Sequence, residues 1–331
     1  NVLKSVGEGE SIFEAAKNAS MLTGKDLLLS ENRLIIIGKE LRKYKLCDTL
    51  EFFVGNYHSH PQAYVAAAED TAEELLDIRF KEGSTSSQRL ANLIHNASVE
   101  SRNKSTYPYQ VMTMLCTSTE SAFLPLLTTA TLKTDVTIPK ETGGGKGNKG
   151  GEEQSEDGEK TIILDGGVVF KGGKELCRVD DDGAMAIFFM NDMPSEYSFT
   201  VPLGQNAKPS VMLIGVTRSI KATEYNGKVK FDVSFSASGK IGSKGGMKED
   251  EKKAAEKVAE PAERELKRKI ESSMIPIAEK GCDVFGLENT LRRCCNRFYR
   301  ENIDRVGKII AESEIEVNVN IDIFSQGIGG A

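Results

Sequence analysis

The sequence predicts an α+β fold of more than one domain, with mixed or antiparallel sheets flanked by helices. Three observations predict it. Helix-like and strand-like segments alternate through residues 1–98, a polar glycine-rich stretch interrupts the chain at 141–160, and apolar and polar residues alternate strictly at 314–323. Strands separated by helices indicate a sheet with helical crossovers, and a period of two indicates a strand with one buried face.

The N-terminal α/β portion, residues 1–140, contains two short apolar runs that are predicted to be buried strands. They are RLIIIG at 33–38 and QAYVAAA at 62–68. Helical spacing of apolar residues predicts helices in SIFEAAKNASML at 11–22 and SSQRLANLIHNA at 86–97. In the segment EDTAEELLDI, Asp70 and Glu73 are predicted at the N-cap and N3 positions of a further helix.

Residues 141–160 (ETGGGKGNKGGEEQSEDGEK) are predicted to be a flexible linker, because they contain many glycines and almost no apolar side chain. The C-terminal α+β portion would then be 161–331, and a further division near residue 205 would give three domains. Hairpins are predicted at Gly172-Gly173 and at Asn226-Gly227, the favoured two-residue turn.

A charged run at 248–269 mixes acidic and basic residues at helical spacing and is interrupted by Pro261, which is predicted to break the helix. It predicts a solvated helix face, with a partner-binding face as the alternative. An apolar stripe follows, and its members are Leu266, Ile270, Met274 and Ile277. The run EIEVNVNIDIF at 314–324 is predicted to be the closing strand.

Composition excludes several function classes. The net charge is -6 in 331 residues, and basic residues are mostly interleaved with acidic ones, which disfavours nucleic acid. Six cysteines without a C-x-x-C pair and three histidines disfavour a zinc cluster. Because no nucleophile, base and oxyanion donor are brought together by any motif, the sequence predicts no enzyme and no cofactor.

The segment GEGESIFE is the strongest candidate for a phosphate loop. Gly7 and Gly9 are not followed by the third glycine of a dinucleotide loop, since Ile12 stands there. Ser11 and Glu14 form a capping box that would occupy the amides an anion needs. We therefore predict a helix start, with an anion site as the alternative.

Two other segments could hold metals. In HSHP at 58–61, His58 and His60 would lie on one side of an extended segment, but the chain offers few further ligands, so a polar loop is the prediction. In VDDDGA at 179–184, the acids lack the spacing of a calcium loop, so an acidic turn is the prediction.

Six segments in order resemble the Ger(x)C-type C subunits of spore germinant receptors: GEGESIFEAAKNAS, RLIIIGKEL, QAYVAAAEDTAEELLDI, GGVVFKGGKELCRV, KGCDVFGLENTLRR and EIEVNVNIDIFSQG. The motif residues in them are Gly7, Gly9, Ser11, Glu14, Gly38, Asp283, Phe285 and Gly286. The chain departs from the family in having no Trp in the last helical region. It also has HSHP where members are rich in Arg and Asp.

The resemblance implies three small α+β domains and a non-catalytic lipoprotein needed for nutrient-triggered germination. Members carry a signal peptide and an acylated (palmitate) cysteine, so the membrane anchor would precede the given chain. The implied place is the outer face of the spore inner membrane, and the implied partners are the transmembrane A-type and B-type subunits. The family supplies no catalytic, cofactor or metal residues. The alternative is a solute-binding module of a membrane transport system, with the solute in a cleft between the two portions.

Overall fold

The structure is a computed structural model that describes residues 4–55, 59–78, 85–132, 159–204 and 207–324. Its helices are α1 (Ile12–Thr23), α2 (Leu46–Gly55), α3 (Ala72–Asp77), α4 (Ser86–Val99), α5 (Pro108–Leu115), α6 (Asp181–Asn191), α7 (Glu251–Ala278), α8 (Leu287–Cys294), α9 (Asn296–Glu301) and α10 (Val306–Ala311). Its strands are β1 (Leu34–Ile37), β2 (Tyr64–Ala68), β3 (Ser121–Leu132), β4 (Glu159–Lys171), β5 (Lys174–Val179), β6 (Glu196–Thr200), β7 (Ser210–Tyr225), β8 (Lys228–Ser243) and β9 (Glu314–Ile323).

The first sheet has the order β1-β2-β3-β4-β5. Strands β1, β2 and β3 are parallel, whereas β4 and β5 are antiparallel additions. Helices α2 and α5 pack on one face through Leu50 and Val111, and α3 and α4 pack on the other through Leu75 and Leu90. Because both faces are covered, the two short strands are continuous apolar runs rather than alternating ones.

The first sheet is built from both sides of the predicted linker. Strand β3 pairs with β4 from Ser121 opposite Lys171 to Leu132 opposite Glu159. The predicted division at 141–160 therefore does not separate the two sheets, and residues 159–160 belong to β4 rather than to a linker. Residues 141–158 lie outside the described residues. The chain passes from the first sheet to the second between Val179 and Glu196, where α6 lies.

The second sheet has the order β6-β7-β8-β9, with β8 and β9 parallel and the other pairs antiparallel. Helices α6 and α7 cover one face, in a core that includes Phe231, Phe235 and Val317. The hairpin between β7 and β8 turns at Asn226 and Gly227, whose φ angles of 51° and 78° lie in the left-handed region that this turn type requires. The predicted α+β fold class, with mixed sheets flanked by helices, is confirmed.

Two predicted helix ends are wrong in detail. Helix α3 is capped by Thr71, whose Oγ1 accepts from Glu74 N at 3.2 Å, one residue later than predicted. Asp70 is instead held outside the helix, because its carbonyl accepts from Lys39 N and its carboxylate pairs with Lys39. Helix α7 runs through Pro261 without interruption.

Helix α7 continues past Pro261 because its buried stripe extends on both sides of the proline. Ala254 and Val258 precede it, Ala262 and Leu266 follow it, and all four are buried in the core of the second sheet. The packing of the whole stripe outweighs the single backbone hydrogen bond that proline removes. Within the described ranges, no helix has both the length and the apolar character needed to cross a bilayer.

Candidate functional site

The loop at 279–286 links α7 to α8 and contacts the first sheet at Ser121. The Asp283 carboxylate accepts hydrogen bonds from Phe285 N at 3.1 Å, Leu287 N at 2.9 Å and Glu288 N at 2.7 Å. Leu287 N and Glu288 N are the first amides of α8, which have no partner inside the helix, and Phe285 N lies just before its N-cap, Gly286. Asp283 thus caps α8 from within the core.

The rest of the motif fixes the shape of this loop. Phe285 is fully buried, and Gly286 has φ of 79°, in the left-handed region that favours glycine. Burial raises the pKa of Asp283, while its three backbone hydrogen bonds act in the opposite direction. The motif residues Asp283, Phe285 and Gly286 therefore form one structural unit at the start of α8.

Glu288 extends this unit to the first sheet. Its carboxylate accepts from Ser118 N at 3.0 Å, Thr119 N at 3.2 Å and the Tyr299 hydroxyl at 3.0 Å. The residue is 6% exposed, so these bonds compensate the burial of the acid. We call Asp283, Glu288 and Tyr299, with the turn at 117–120, the joint. Sequence reasoning missed Glu288, although an acid beside the Asp-Val-Phe-Gly turn and between Leu287 and Leu291 was a signal of a buried role.

Further contacts around the joint connect the part of the protein built on the first sheet with the part built on the second sheet. Lys104 Nζ lies 2.5 Å from the Asp192 carboxylate, and Lys171 Nζ donates to Lys280 O at 2.6 Å. Asp283 N donates to Ser121 Oγ at 2.9 Å. These contacts and the hydrogen bonds of Glu288 all join residues of the part around the first sheet to residues of the part around the second sheet.

A cleft of about 490 Å³ opens beside the joint, between α5 and α8. Its lining includes Thr117, Asn191, Asn289 and Arg292, together with the joint residues. Among the described residues, no buried polar side-chain atom of this lining lacks a hydrogen-bond partner. Sites that orient a solute present convergent unpaired polar groups, and here the buried acids are already satisfied by the protein itself.

The glycines of GEGESIFE allow the chain before α1 to pack closely against that helix. A Cβ on Gly7 would lie 1.9 Å from Ala15 O, and one on Gly9 would lie 2.7 Å from Ala15 N. Only glycine allows the chain to lie this close to the helix. At Gly38 an added Cβ would meet Asp70 O at 3.6 Å, an ordinary contact.

The structure places Ser11 at the N-cap of α1, where its Oγ accepts from Glu14 N at 3.2 Å. The Glu14 carboxylate accepts from Glu10 N at 2.9 Å, one residue before the position that a capping box predicts. The first-turn amide of Glu14 and the preceding amide of Glu10 are therefore both used by side chains of this segment.

The two segments considered for metals have other geometries. His58 lies outside the described residues, and His60 Nδ1 accepts from Gln62 N at 3.1 Å. The predicted acidic turn is instead the start of α6, where Asp180 caps the helix through Gly183 N at 2.9 Å and Asp182 pairs with Lys269. Among the described residues, no three His, Cys, Asp or Glu side chains are grouped to hold a metal ion.

An exposed apolar groove of about 480 Å³ lies between α1, the segment at 26–30 and α2. Phe13 is 65% exposed and Leu28 is 71% exposed. The Phe13 and Phe52 rings meet edge to face, with centroids 6.3 Å apart. Exposed apolar side chains gathered in one groove are typical of contact surfaces.

The chain is thus a two-sheet α+β protein. The buried carboxylates of its joint accept hydrogen bonds from the protein's own backbone amides, and an apolar groove is exposed between α1 and α2. Two family models match the chain: "Spore germination protein N-terminal domain" at residues 2–129, and "Spore germination B3/ GerAC like, C-terminal" at residues 165–327. The chain belongs to the GerAC-type family of spore germination proteins.

A solved structure supports the shared fold. The crystal structure of the GerBC protein superposes with a TM-score of 0.59 at 13% identity, covering 88% of this chain and 79% of that one. A search of the curated proteins gave no match to the chain. Members of the family are germinant receptor components and are generally non-catalytic.

Proposed function

We propose that the chain is a non-catalytic lipoprotein subunit of a spore germinant receptor. It is anchored on the outer face of the spore inner membrane by an N-terminal lipid and assembles with the transmembrane A-type and B-type subunits. Two observations support this proposal. The chain belongs to the family, and the buried carboxylates of the joint already have hydrogen-bond partners within the protein. Its role is to bind partners rather than to transform a substrate.

The apolar groove between α1 and α2 is the observation that carries the assembly proposal. Phe13, Leu27 and Leu28 are each more than 45% exposed, and Phe52 lies beside them. Lys17 and Asp26 also line the groove. An apolar segment of a transmembrane subunit is the occupant that fits, because its burial would remove this surface from water.

Anchor and partner contacts act together in this proposal. One acyl chain gives only marginal, reversible membrane binding, so stable attachment takes a second contact. Holding the protein on the membrane raises its effective concentration beside the transmembrane subunits. Loss of either contact should therefore impair assembly.

The test is co-purification of the transmembrane subunits from spore membranes, together with nutrient-triggered germination. The variant F13E/L28E should reduce both, because it places charge in the groove. The matched control is Y225E, at an exposed aromatic on the β7–β8 hairpin, which should behave as wild type. Undiminished assembly and germination of F13E/L28E and of an anchorless protein would count against the proposal.

The alternative is a solute-binding module, which requires the two parts to close on the cleft beside the joint. The bonds of Glu288 to Ser118 N and Thr119 N join the two sides of that cleft, so a change in its width would have to break or rearrange them. Calorimetry of the isolated chain with amino acids, sugars and nucleosides separates the two functions. Strong binding of any of these would favour the solute-binding module.

A further inference from the structure

Helices α8 to α10 expose a concentration of positive charge. Residues 292–308 contain six basic and two acidic residues, a net charge of +4 in a chain whose total is -6. The six basic side chains are all exposed, and we call them the basic surface: Arg292, Arg293, Arg297, Arg300, Arg305 and Lys308. Basic residues are mostly interleaved with acidic ones along the chain, and this segment is an exception.

The acidic residues nearby do not neutralise this surface. Arg297 pairs with Glu301 at 2.9 Å, and Lys308 lies 3.6 Å from Glu312. Such exposed pairs are weak and leave the side chains open to competition from a stronger partner. Within the described ranges, the side chains of Arg300 and Arg305 have neither an ion pair nor a hydrogen bond.

An apolar side chain stands among the arginines. Ile303 begins the short 3₁₀ turn Ile303–Arg305 and is 46% exposed. By contrast, Tyr299 is buried and Phe298 is packed against the core of the second sheet. The segment 292–308 therefore combines several guanidinium groups with a protruding aliphatic group, and neither of its two aromatic side chains is largely exposed.

These features favour one class of partner. Arginine binds phosphate oxygens in a bidentate manner, and clusters of four to eight basic residues are typical of contacts with anionic lipids. An exposed isoleucine suits the apolar boundary below lipid headgroups. Single-stranded nucleic acid would need exposed aromatic residues for base stacking, which this surface lacks.

We propose that the basic surface binds the anionic phosphate headgroups of a lipid bilayer, with Ile303 at the boundary of the acyl chains. This rests on the proposed function, which places the protein at a membrane. Because the rest of the chain carries a net charge of -10, an anionic membrane attracts this face and repels the others. The contact thus orients the subunit as well as adding to its attachment.

The test is sedimentation of the purified chain with phosphatidylcholine vesicles, prepared with and without phosphatidylglycerol. Binding should require phosphatidylglycerol and weaken as salt is added. The variant R297Q/R300Q/R305Q should lower the partition coefficient by about 100-fold, at about fivefold for each basic residue. I303S should lower it as well, and its effect should persist at high salt.

The matched control removes three exposed basic residues of α7, in the variant K257Q/R264Q/R268Q, which should bind as wild type. Circular dichroism should show that both triple variants remain folded, since the side chains are exposed. The proposal is overturned if both triple variants lose binding equally or if binding does not require phosphatidylglycerol. It is also overturned if the basic surface binds an acidic protein but the chain sediments with no vesicle.

Receptor assembly is measured separately, by co-purification of the transmembrane subunits. Failed vesicle binding with intact assembly would overturn the lipid contact alone. Intact vesicle binding with failed assembly of the wild-type chain would overturn the proposed function.

Discussion

Replacement of Asp283 by alanine should cost far more stability than the loss of an ordinary helix cap. The carboxylate serves the amides of Phe285, Leu287 and Glu288, and the residue is 9% exposed. A typical N-cap replacement costs about 1 kcal/mol, and each buried donor left without a partner costs about 1–3 kcal/mol. Since relaxation recovers part of this, we expect D283A to lower the free energy of unfolding by about 3 kcal/mol.

The control is D250A. Asp250 caps α7 through a single bond to Lys253 N at 2.9 Å and is exposed, so its removal should cost about 1 kcal/mol. The loss of unfolding free energy for D283N should lie between those for D250A and D283A. In D283N the amide oxygen still accepts from Phe285 N and Leu287 N, while the side-chain NH₂ faces Glu288 N. Urea denaturation followed by circular dichroism measures all three variants. A D283A loss no larger than that of D250A would refute the capping argument, as would a D283N loss larger than that of D283A.

Three further predictions concern the core and the helices. G7A should detach the N-terminal segment from α1, seen as faster amide exchange there. G38A should not, because the added Cβ would lie 1.9 Å from Ala15 O at position 7 but 3.6 Å from its nearest neighbour at position 38. Burial raises the pKa of the Cys282 thiol from 9.0 to about 11. The unfolded chain therefore loses its proton first, and stability should fall between these pH values by about 2–3 kcal/mol. C282A should abolish that loss, and equal pH profiles of the two proteins would contradict it. P261A should raise the melting temperature, since helix propensity favours alanine by about 3 kcal/mol and the helix already continues through this position; an unchanged or lower value would show that the proline is needed.

Local sequence pattern was sufficient to predict the elements that depend on interactions between residues close together in the chain. The period-two run at 314–323 forms β9, and Asn226-Gly227 forms the hairpin turn. The stripe from Leu266 to Ile277 forms the buried face of α7. Each of these depends on side-chain direction and backbone dihedral preference, which act over a few residues.

The joint could be predicted only in part. The Asp-Val-Phe-Gly turn was visible in the sequence, but the partners of Glu288 lie about 170 residues earlier in the chain, at Ser118 and Thr119. No periodicity encodes a contact of that separation. The same limit applies to β4 and β5, which join the first sheet although a long polar stretch precedes them.

The sequence by itself determined the fold class, most of the strands and helices, and the family, because short-range pattern and ordered motifs carry that information. Only the tertiary structure decided which sheet each strand joins, that Pro261 lies within one helix, and that Gly7 and Gly9 serve contact with α1. The physical reason is that these outcomes depend on burial between distant segments, where the packing of many side chains outweighs the local preference of one residue.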